Sequence, residues 1–350
     1  MNRTRRALLA SIPLGVQAQE RRTIRVGLAG LDGHPGEVSG PIPRMPGVEL
    51  VAISDPDPGT VARYARSAVA ARAAQYADWR QMVDREKLDI VGVCNANSLH
   101  AEAIIECLGR GIHLIAEKPV ATEEPDLNRV RDAVQKSKAK FTSILPMRFS
   151  PPYLALKQIV ESGEIGEILQ MDAQKSYKVS SRAPWFYKRQ TYGGTMAWIG
   201  IHMIDLMLAI SGRDFTEAFG YQNHIGWPET GDTENITATT FRLDNGGVAL
   251  LRMDYLRPKT ARTHGDDRLR LAGTKGVAEY MEATGVTVVS DTRERTVIKD
   301  LPPAMSVFTE FLAHIYEGKP APIDWKQIYR GHLVALRARE AMEKHRPVKT

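Results

Sequence analysis

The sequence predicts a doubly wound parallel α/β sheet followed by an α+β domain with an open, mainly antiparallel sheet. In the first half, short apolar runs alternate with helical patterns, which is typical of parallel strands buried on both faces. After about Pro151, longer alternating segments follow one another with few helices between them, which favours antiparallel strands. A chain of 350 residues is long enough for two domains with separate cores.

The first half is expected to form five strands, at 23–30, 48–55, 88–94, 112–117 and 141–145. Helices are predicted near 61–68, 101–110 and 126–138, where apolar residues recur at helical spacing. These elements place the first domain at 22–148. Because ligands of such sheets bind at the carboxyl ends of the strands, the residues that follow each strand are the first candidates for function.

The second domain is predicted at 149–323, with helices at 153–162 and 200–212. Its strands are expected at 168–179, 216–223, 236–243, 247–255, 268–271, 278–281 and 286–290. The tail from 324 to 350 contains a helix, 324–344, which is expected to pack back on the first domain.

Residues 1–18 are predicted to be an export signal. Three arginines precede a mostly apolar stretch, 7–16, and a small-residue exit at 16–18. Residues 4–9, Thr-Arg-Arg-Ala-Leu-Leu, resemble a twin-arginine signal, whose route carries folded proteins with their cofactor bound. The expectation is a periplasmic or secreted protein. If the segment is instead a retained basic tail, the protein is cytoplasmic.

The composition argues against several classes of protein. The formal charge is +6, and without the three arginines of the signal there remain 44 basic and 41 acidic residues, too small an excess to indicate nucleic-acid binding. No later run approaches 18 apolar residues, so no membrane span is expected. Cys94 and Cys107 are too few for a disulfide framework and are interpreted as buried free thiols.

The first strand ends in a glycine-rich turn, Gly30-Leu-Asp-Gly-His-Pro-Gly36. Dinucleotide-binding turns use glycines so that the backbone approaches the pyrophosphate closely. Gly30, Asp32, Gly33 and His34 are therefore candidate cofactor residues, although Asp32 stands where a second glycine is usual and would repel phosphate. A purely structural tight turn is the alternative.

The ends of the second and third strands also carry polar residues. Asp55 ends the second strand, where a carboxylate accepts hydrogen bonds from an adenine ribose and repels the extra phosphate of NADP, so NAD is favoured. The alternative is that Asp55 only caps the next helix. Asn95, Asn97 and His100 follow the third strand and are expected to line the nicotinamide or ribose site, while Ser98 there could equally be a plain helix cap.

Glu117-Lys118-Pro119 ends the fourth strand. A lysine at this edge can polarise a substrate hydroxyl or carbonyl, or donate to the cofactor, so Glu117 and Lys118 are candidate cofactor residues and Lys118 is also a candidate catalytic residue. An ordinary surface lysine is the alternative.

A second constellation runs from Gly193 to Asp205. His202 and Asp205 lie three residues apart, on one face of the predicted helix. The histidine can serve as general base, with the carboxylate holding its tautomer; a structural histidine is the alternative. No third residue at metal-ligand spacing accompanies them, so no metal is expected. The candidate substrate-binding residues are Trp198, Asp205, Arg148 and Trp185.

Together these motifs resemble the glucose–fructose oxidoreductase / inositol dehydrogenase / MocA family, over nearly all of residues 22–345. The resemblance implies a Rossmann domain, a second domain whose open sheet packs against a partner subunit, and oxidation or reduction of sugars and polyols with NAD(P). Lys118 matches the family's motif lysine and His202 its motif histidine. The aspartate four residues before that histidine is replaced by Trp198, and the usual Thr-Pro-Asn is Asn95-Ala-Asn97.

The sequence thus leads to an NAD-dependent oxidoreductase that transfers hydride to or from a sugar-like small molecule. Two alternatives stay open. One is an NAD-dependent glycosidase that oxidises C3 of its sugar transiently, because some exported relatives in this family resemble such enzymes. The other is a catalytically degenerate sugar- or cofactor-binding protein, suggested by Asp32 and Trp198.

Overall fold

The computed structural model describes residues 22–227 and 229–350. The predicted export signal lies outside the described residues. The first domain is a six-stranded, wholly parallel sheet in the order β3-β2-β1-β4-β5-β6. Its strands are β1 (Ile24–Ala29), β2 (Val48–Ser54), β3 (Ala74–Tyr76), β4 (Ile90–Val93), β5 (His113–Ala116) and β6 (Phe141–Ser143). The predicted doubly wound sheet is confirmed.

Helices connect these strands, as right-handed crossovers between parallel strands require. They are α1 (Gly36–Ser39), α2 (Pro58–Tyr64), α3 (Trp79–Arg85), α4 (His100–Gly109) and α5 (Glu124–Lys136). The order of the strands reverses between β1 and β4, and this switch point is where such sheets bind ligands.

The second domain is a nine-stranded sheet in the order β14-β13-β12-β11-β7-β10-β9-β8-β15. All neighbours are antiparallel except β7 and β10. The strands are β7 (Ile168–Tyr177), β8 (Phe215–Asn223), β9 (Ile236–Leu243), β10 (Val248–Asp254), β11 (Gly265–Gly273), β12 (Gly276–Met281), β13 (Gly285–Ser290), β14 (Arg293–Val297) and β15 (Val348–Lys349). The predicted open, mainly antiparallel sheet is confirmed.

One face of this sheet is covered by helices and the other is not. Along β9 buried and exposed residues alternate, which is the pattern of a sheet packed on one side only. The helices of the second half are α6 (Pro151–Glu161), α7 (Arg189–Tyr192), α8 (Ile201–Ser211), α9 (Val307–Tyr316) and α10 (Trp325–Lys344). Assembly of subunits through the uncovered face remains a prediction.

The apolar segment Arg189–Ser211 has the length and composition of a membrane span, which the sequence analysis did not anticipate. Of its most apolar window, 89% is buried inside the protein. The segment includes a turn of π-helix, Met196–Gly200, directly before α8. Such turns are frequent at functional sites, and this one carries Trp198.

The C-terminal helix α10 joins the two domains, and Arg339 is its main bridging residue. The buried guanidinium donates to the carbonyl oxygens of Thr122 at 2.6 Å and Gly193 at 2.9 Å, and to the Glu123 carboxylate at 2.6 Å. Thr122 follows β5, whereas Gly193 precedes the helix that carries His202. Arg339 therefore ties together the two segments that carry the catalytic candidates.

Replacing Arg339 with Met is expected to lower the melting temperature, because two buried carbonyls lose their donor at a cost of about 1–3 kcal/mol each. The matched control is Arg337→Met on the same helix, since Arg337 forms only partly exposed pairs with Glu124 and Glu340. Such pairs contribute about 0–1 kcal/mol. Thermal unfolding of both variants checks this; equal melting temperatures would contradict the bridging role.

Candidate active site

A cleft of about 330 Å³ opens at the carboxyl edge of the parallel sheet, at the switch point between β1 and β4. Gly30, Asp55 and Asn95 come from three strand ends and line one wall, and Trp185 of the second domain lines the other. The structure thus brings together predicted cofactor residues that lie far apart in the sequence.

The glycine-rich turn passes very close to two neighbouring strand ends. Gly30 has φ +91°, and a Cβ there would lie 2.2 Å from the backbone nitrogen of Asn95. At Gly33, with φ +68°, a Cβ would lie 2.9 Å from Oε1 of Glu117. Both positions require glycine, because other residues would be strained and would collide with their surroundings.

The carboxylate of Asp32 is held by the second domain. The Nε1 atom of Trp185 donates to its Oδ2 at 2.8 Å, across the cleft. This hydrogen bond fixes the orientation of the Asp32 carboxylate, which keeps its negative charge. The same contact shows that Trp185, predicted to bind substrate, lies on the cofactor side of the site.

Asp55 connects the turn after β1 to the loop after β2. Its Oδ2 accepts from the backbone N–H of Leu31 and its Oδ1 from that of Asp57, both at 3.0 Å. Burial raises the pKa of Asp55, and these two N–H groups oppose that rise. Each carboxylate oxygen retains a second lone pair for a ligand. The cap of α2 is Asp57, so the alternative reading of Asp55 as the helix cap is wrong.

The residues that follow β4 differ in whether their polar side-chain atoms are already hydrogen-bonded within the protein. Both side-chain amide atoms of Asn95 are buried and have no hydrogen-bond partner among the described residues. Asn97 donates to the carbonyl of Tyr192 at 2.7 Å. His100, predicted to contact the cofactor, is instead an internal brace, because its ring nitrogens lie 2.7 and 2.8 Å from the carbonyl oxygens of Pro119 and Asn95.

Glu117 and Lys118 are both buried, each with 1% of the side chain exposed. Burial alone would raise the pKa of Glu117, but its contacts with His34 and Lys118 lower it to about 2. Burial lowers the pKa of Lys118 to about 8, against the attraction of Glu117 at 3.5 Å. Lys118 can therefore gain and lose its proton near neutral pH. Acid–base groups in catalysis need a pKa close to the working pH.

Trp198 occupies the position where the family resemblance implies an aspartate. The Nζ atom of Lys118 lies 3.2 Å from the centroid of its ring and donates to its backbone carbonyl at 3.0 Å. The indole thus contacts the ammonium by a cation–π interaction, which an aspartate would replace by a charge pair. Trp198 was predicted to stack on a sugar; in the structure its ring is 5% exposed and packs against Lys118.

His202 lies beside this pair, but Asp205 does not orient it. Both carboxylate oxygens of Asp205 accept from Arg148 at 2.6 Å. Helical spacing places Asp205 on the same face as His202, yet the arginine offers a charged, bidentate donor that a neutral imidazole cannot match. The Nδ1 atom of His202 has no partner among the described residues. Burial and the charge of Lys118 hold the pKa of His202 well below its usual range.

The sequence analysis missed a second buried lysine. Lys175 on β7 is fully buried, and its Nζ lies 3.0 Å from Oδ2 of Asp267 on β11. Its charge contributes to the lowered pKa of both Lys118 and His202, which places it on the same site. The signal was present: in the alternation of β7, Lys175 takes the inward position that Met171 and Ala173 also take.

Two polar atoms near Lys175 lack partners among the described residues. They are the Oδ1 atom of Asp267 and the hydroxyl of Tyr153, both buried. Nδ1 of His202 is likewise buried without a hydrogen-bond partner in the described part of the chain. The described residues contain no group of three or more histidine, cysteine, aspartate or glutamate side chains arranged to hold a metal ion.

Comparison with known proteins covers both domains. Residues 24–144 match the model of an oxidoreductase family with an NAD-binding Rossmann fold, and residues 153–279 match the GFO/IDH/MocA C-terminal domain. The inositol 2-dehydrogenase of Salmonella typhimurium is 31% identical over 170 residues, 48% of each chain. The matched region is therefore about half the length of either protein.

Solved structures extend the likeness to nearly the whole chain. An oxidoreductase from Thermotoga maritima is 28% identical and superimposes with a TM-score of 0.86, covering 93% of this chain and all of the other. Levoglucosan dehydrogenase in complex with NADH is 20% identical, with a TM-score of 0.80 and coverage of 94% and 99%. These relatives give no support to the glycosidase alternative.

The pKa of Lys118 predicts a lysine that titrates near pH 8. In an NMR titration of the lysine Cε groups, one signal should move with a midpoint near pH 8 and be missing in Lys118→Met. Glu117→Gln should shift this midpoint downward, because the carboxylate raises the pKa of Lys118. Lys175 is the internal control, since its paired charge raises its pKa. A Lys118 midpoint at or above the ordinary 10.5 would contradict the assignment.

Proposed function

Because the chain belongs to the GFO/IDH/MocA family of oxidoreductases, we propose that it transfers hydride between NAD(H) and a hydroxyl-bearing carbon of a sugar, polyol or related small molecule. The observation that carries this proposal is Lys118. It is a buried lysine with a pKa of about 8, at the carboxyl edge of a dinucleotide-binding sheet and close to His202, whose Nδ1 has no partner among the described residues.

The residues of the cleft fit NAD. Gly30 leaves room for a close approach to the backbone, and Asp55 offers free lone pairs at the end of β2. The buried side-chain amide of Asn95 has no partner within the described residues. These residues would hold the cofactor, which supplies or accepts the hydride when bound. The carboxylate of Asp55 favours NAD over NADP, because a 2′-phosphate beside it is repelled.

The substrate side of the site suits a molecule with several hydroxyl groups. His202 lies near Lys118 and Asp267 pairs with Lys175, and each has a buried polar atom without a partner among the described residues. A substrate hydroxyl both donates and accepts hydrogen bonds, so it can pair with either atom. Lys118 would stabilise negative charge on the oxygen of the reacting carbon. Inositol 2-dehydrogenase and levoglucosan dehydrogenase are both named for substrates of this kind, which supports the proposed class.

The proposal predicts formation of NADH when the purified protein is mixed with NAD and a suitable member of a panel of polyols, aldoses and anhydrosugars. Lys118→Met should lower kcat by about 10²–10³, the usual effect of removing one donor to a developing oxyanion. Lys140→Met, a change at an exposed lysine, is the matched control.

Absorbance of NADH measures the reaction in both directions, with ketones for the reverse. Absence of turnover over the whole panel by NAD-loaded protein would contradict the proposed function. Release of nitrophenol from a nitrophenyl glycoside without net NADH would instead favour the glycosidase alternative.

Asp55→Asn should weaken NAD binding by about tenfold to a hundredfold, as expected when a charged hydrogen bond worth about 1.5–3 kcal/mol is lost. NADP should lose less affinity, because the repulsion also disappears. Asp57→Asn in the same loop is the control, since Asp57 is exposed and caps α2. Calorimetric titration with both cofactors measures the change; an equal loss for NAD in the two variants would argue against the role of Asp55.

A further inference from the structure

One group at the centre of the site has no role in the family resemblance. His34 follows Gly33 in the glycine-rich turn, and its Nδ1 lies 2.6 Å from Oε1 of Glu117. Glu117 is buried, and its pKa of about 2 keeps it ionised at neutral pH. A carboxylate only accepts hydrogen bonds, so the proton of this contact resides on Nδ1. In its neutral form such a ring presents the lone pair of Nε2.

This arrangement orients an imidazole as a base. A carboxylate that accepts from Nδ1 selects the tautomer whose other nitrogen takes up a proton, and it stabilises the imidazolium that results. Among the described residues, Nε2 of His34 makes no hydrogen bond. The closeness to Glu117 depends on Gly33, because any side chain there would press on the carboxylate.

His34 also lies close to the other candidate catalytic side chains. Its ring centroid is 6.3 Å from that of Trp198 and 6.5 Å from that of His202. It shares Oε1 of Glu117 with Lys118, whose Nζ is 3.5 Å from that oxygen. The side chain of His34 is 43% exposed, whereas Glu117 is 1% exposed. Of His34, Glu117 and Lys118, only His34 has a side chain that is substantially exposed to solvent.

His202 is poorly placed for the same task. It is buried, its Nδ1 has no partner in the part of the chain that the structure describes, and the carboxylate on its helix pairs with Arg148. A protonated His202 would be repelled by the positive charges of Lys118 and Lys175, which lower its pKa. A neutral His202 still donates or accepts one hydrogen bond, which suits it to holding the substrate.

We propose that His34, oriented by Glu117, is the acid–base residue of this site; the inference rests on the proposed function. In the oxidation, the hydroxyl proton of the substrate passes to Nε2 of His34, and Lys118 stabilises the charge on the oxygen. Bound NAD would accept the hydrogen of the reacting carbon with its bonding electron pair, and that carbon would become a carbonyl. The imidazolium then releases its proton to water. In the reduction each step reverses.

Paired variants His34→Gln and His202→Gln test this assignment. With a panel compound that the wild-type enzyme oxidises, His34→Gln should lower kcat by about 10²–10⁴, the usual range for general acid–base catalysis, with little change in KM. His202→Gln should mainly raise KM. Added imidazole should partly restore the activity of His34→Ala, which a purely structural role of His34 would not permit. His345→Asn, an exposed histidine, is the control.

The pH dependence of kcat supplies an independent readout. The charged and titratable groups around His34 are Glu117, Glu37, Lys118 and His202. The wild-type profile should lose its acidic limb in His34→Gln and retain it in His202→Gln. Melting temperature and NAD affinity of each variant show whether it is folded.

A His34→Gln enzyme that keeps wild-type kcat and pH profile, with catalysis lost in His202→Gln, would overturn the assignment and leave the proposed function intact. ¹⁵N NMR of the imidazole rings tests the dyad without a substrate. A proton on Nε2 of His34 rather than Nδ1 at neutral pH would also overturn it. If the wild-type protein oxidises no compound of the panel, the proposed function falls and this role falls with it.

Discussion

A buried, ionised carboxylate must be compensated by nearby positive charge, and Glu117 imposes this requirement on the whole site. It lies at the end of β5 with His34 on one side and Lys118 on the other. The contact of His34 with Glu117 holds the glycine-rich turn against the end of β5. Lys118 is held where its ammonium faces Trp198. One charge thus fixes the position of both loops that flank the reacting groups.

The second domain completes this arrangement from the other side of the cleft. Trp198 covers the ammonium of Lys118, and Lys175 adds a further positive charge from the sheet. Two lysines near one another each make the other's charge more costly, which lowers the pKa of Lys118. The replacement of an aspartate by Trp198 therefore changes the electrostatics as well as the shape of the site. Tryptophan is uncharged, whereas the carboxylate of an aspartate at this position would stabilise the positive charge of Lys118.

The sequence predicted the first domain well because its strands are continuous apolar runs that end in glycine or in polar residues. It missed β3 and α3, which are short and carry little periodicity, and it missed the exposed strand β14. The parallel pairing of β7 with β10 also escaped prediction, because pairing depends on contacts distant in sequence. Within the site, Gly30, Asp55 and Lys118 follow from strand ends. The partner of Asp205 does not, since Arg148 approaches it from another element.

The hydrogen bond between Trp185 and Asp32 joins the two walls of the cleft. Opening the cleft breaks a bond to a charged group, which costs up to about 1.5–3 kcal/mol when the partners find only weak substitutes. That cost corresponds to a tenfold to hundredfold smaller population of open molecules. A dinucleotide enclosed between the two walls would have to leave against this cost, so a hydrogen bond within the protein itself would slow the release of a ligand.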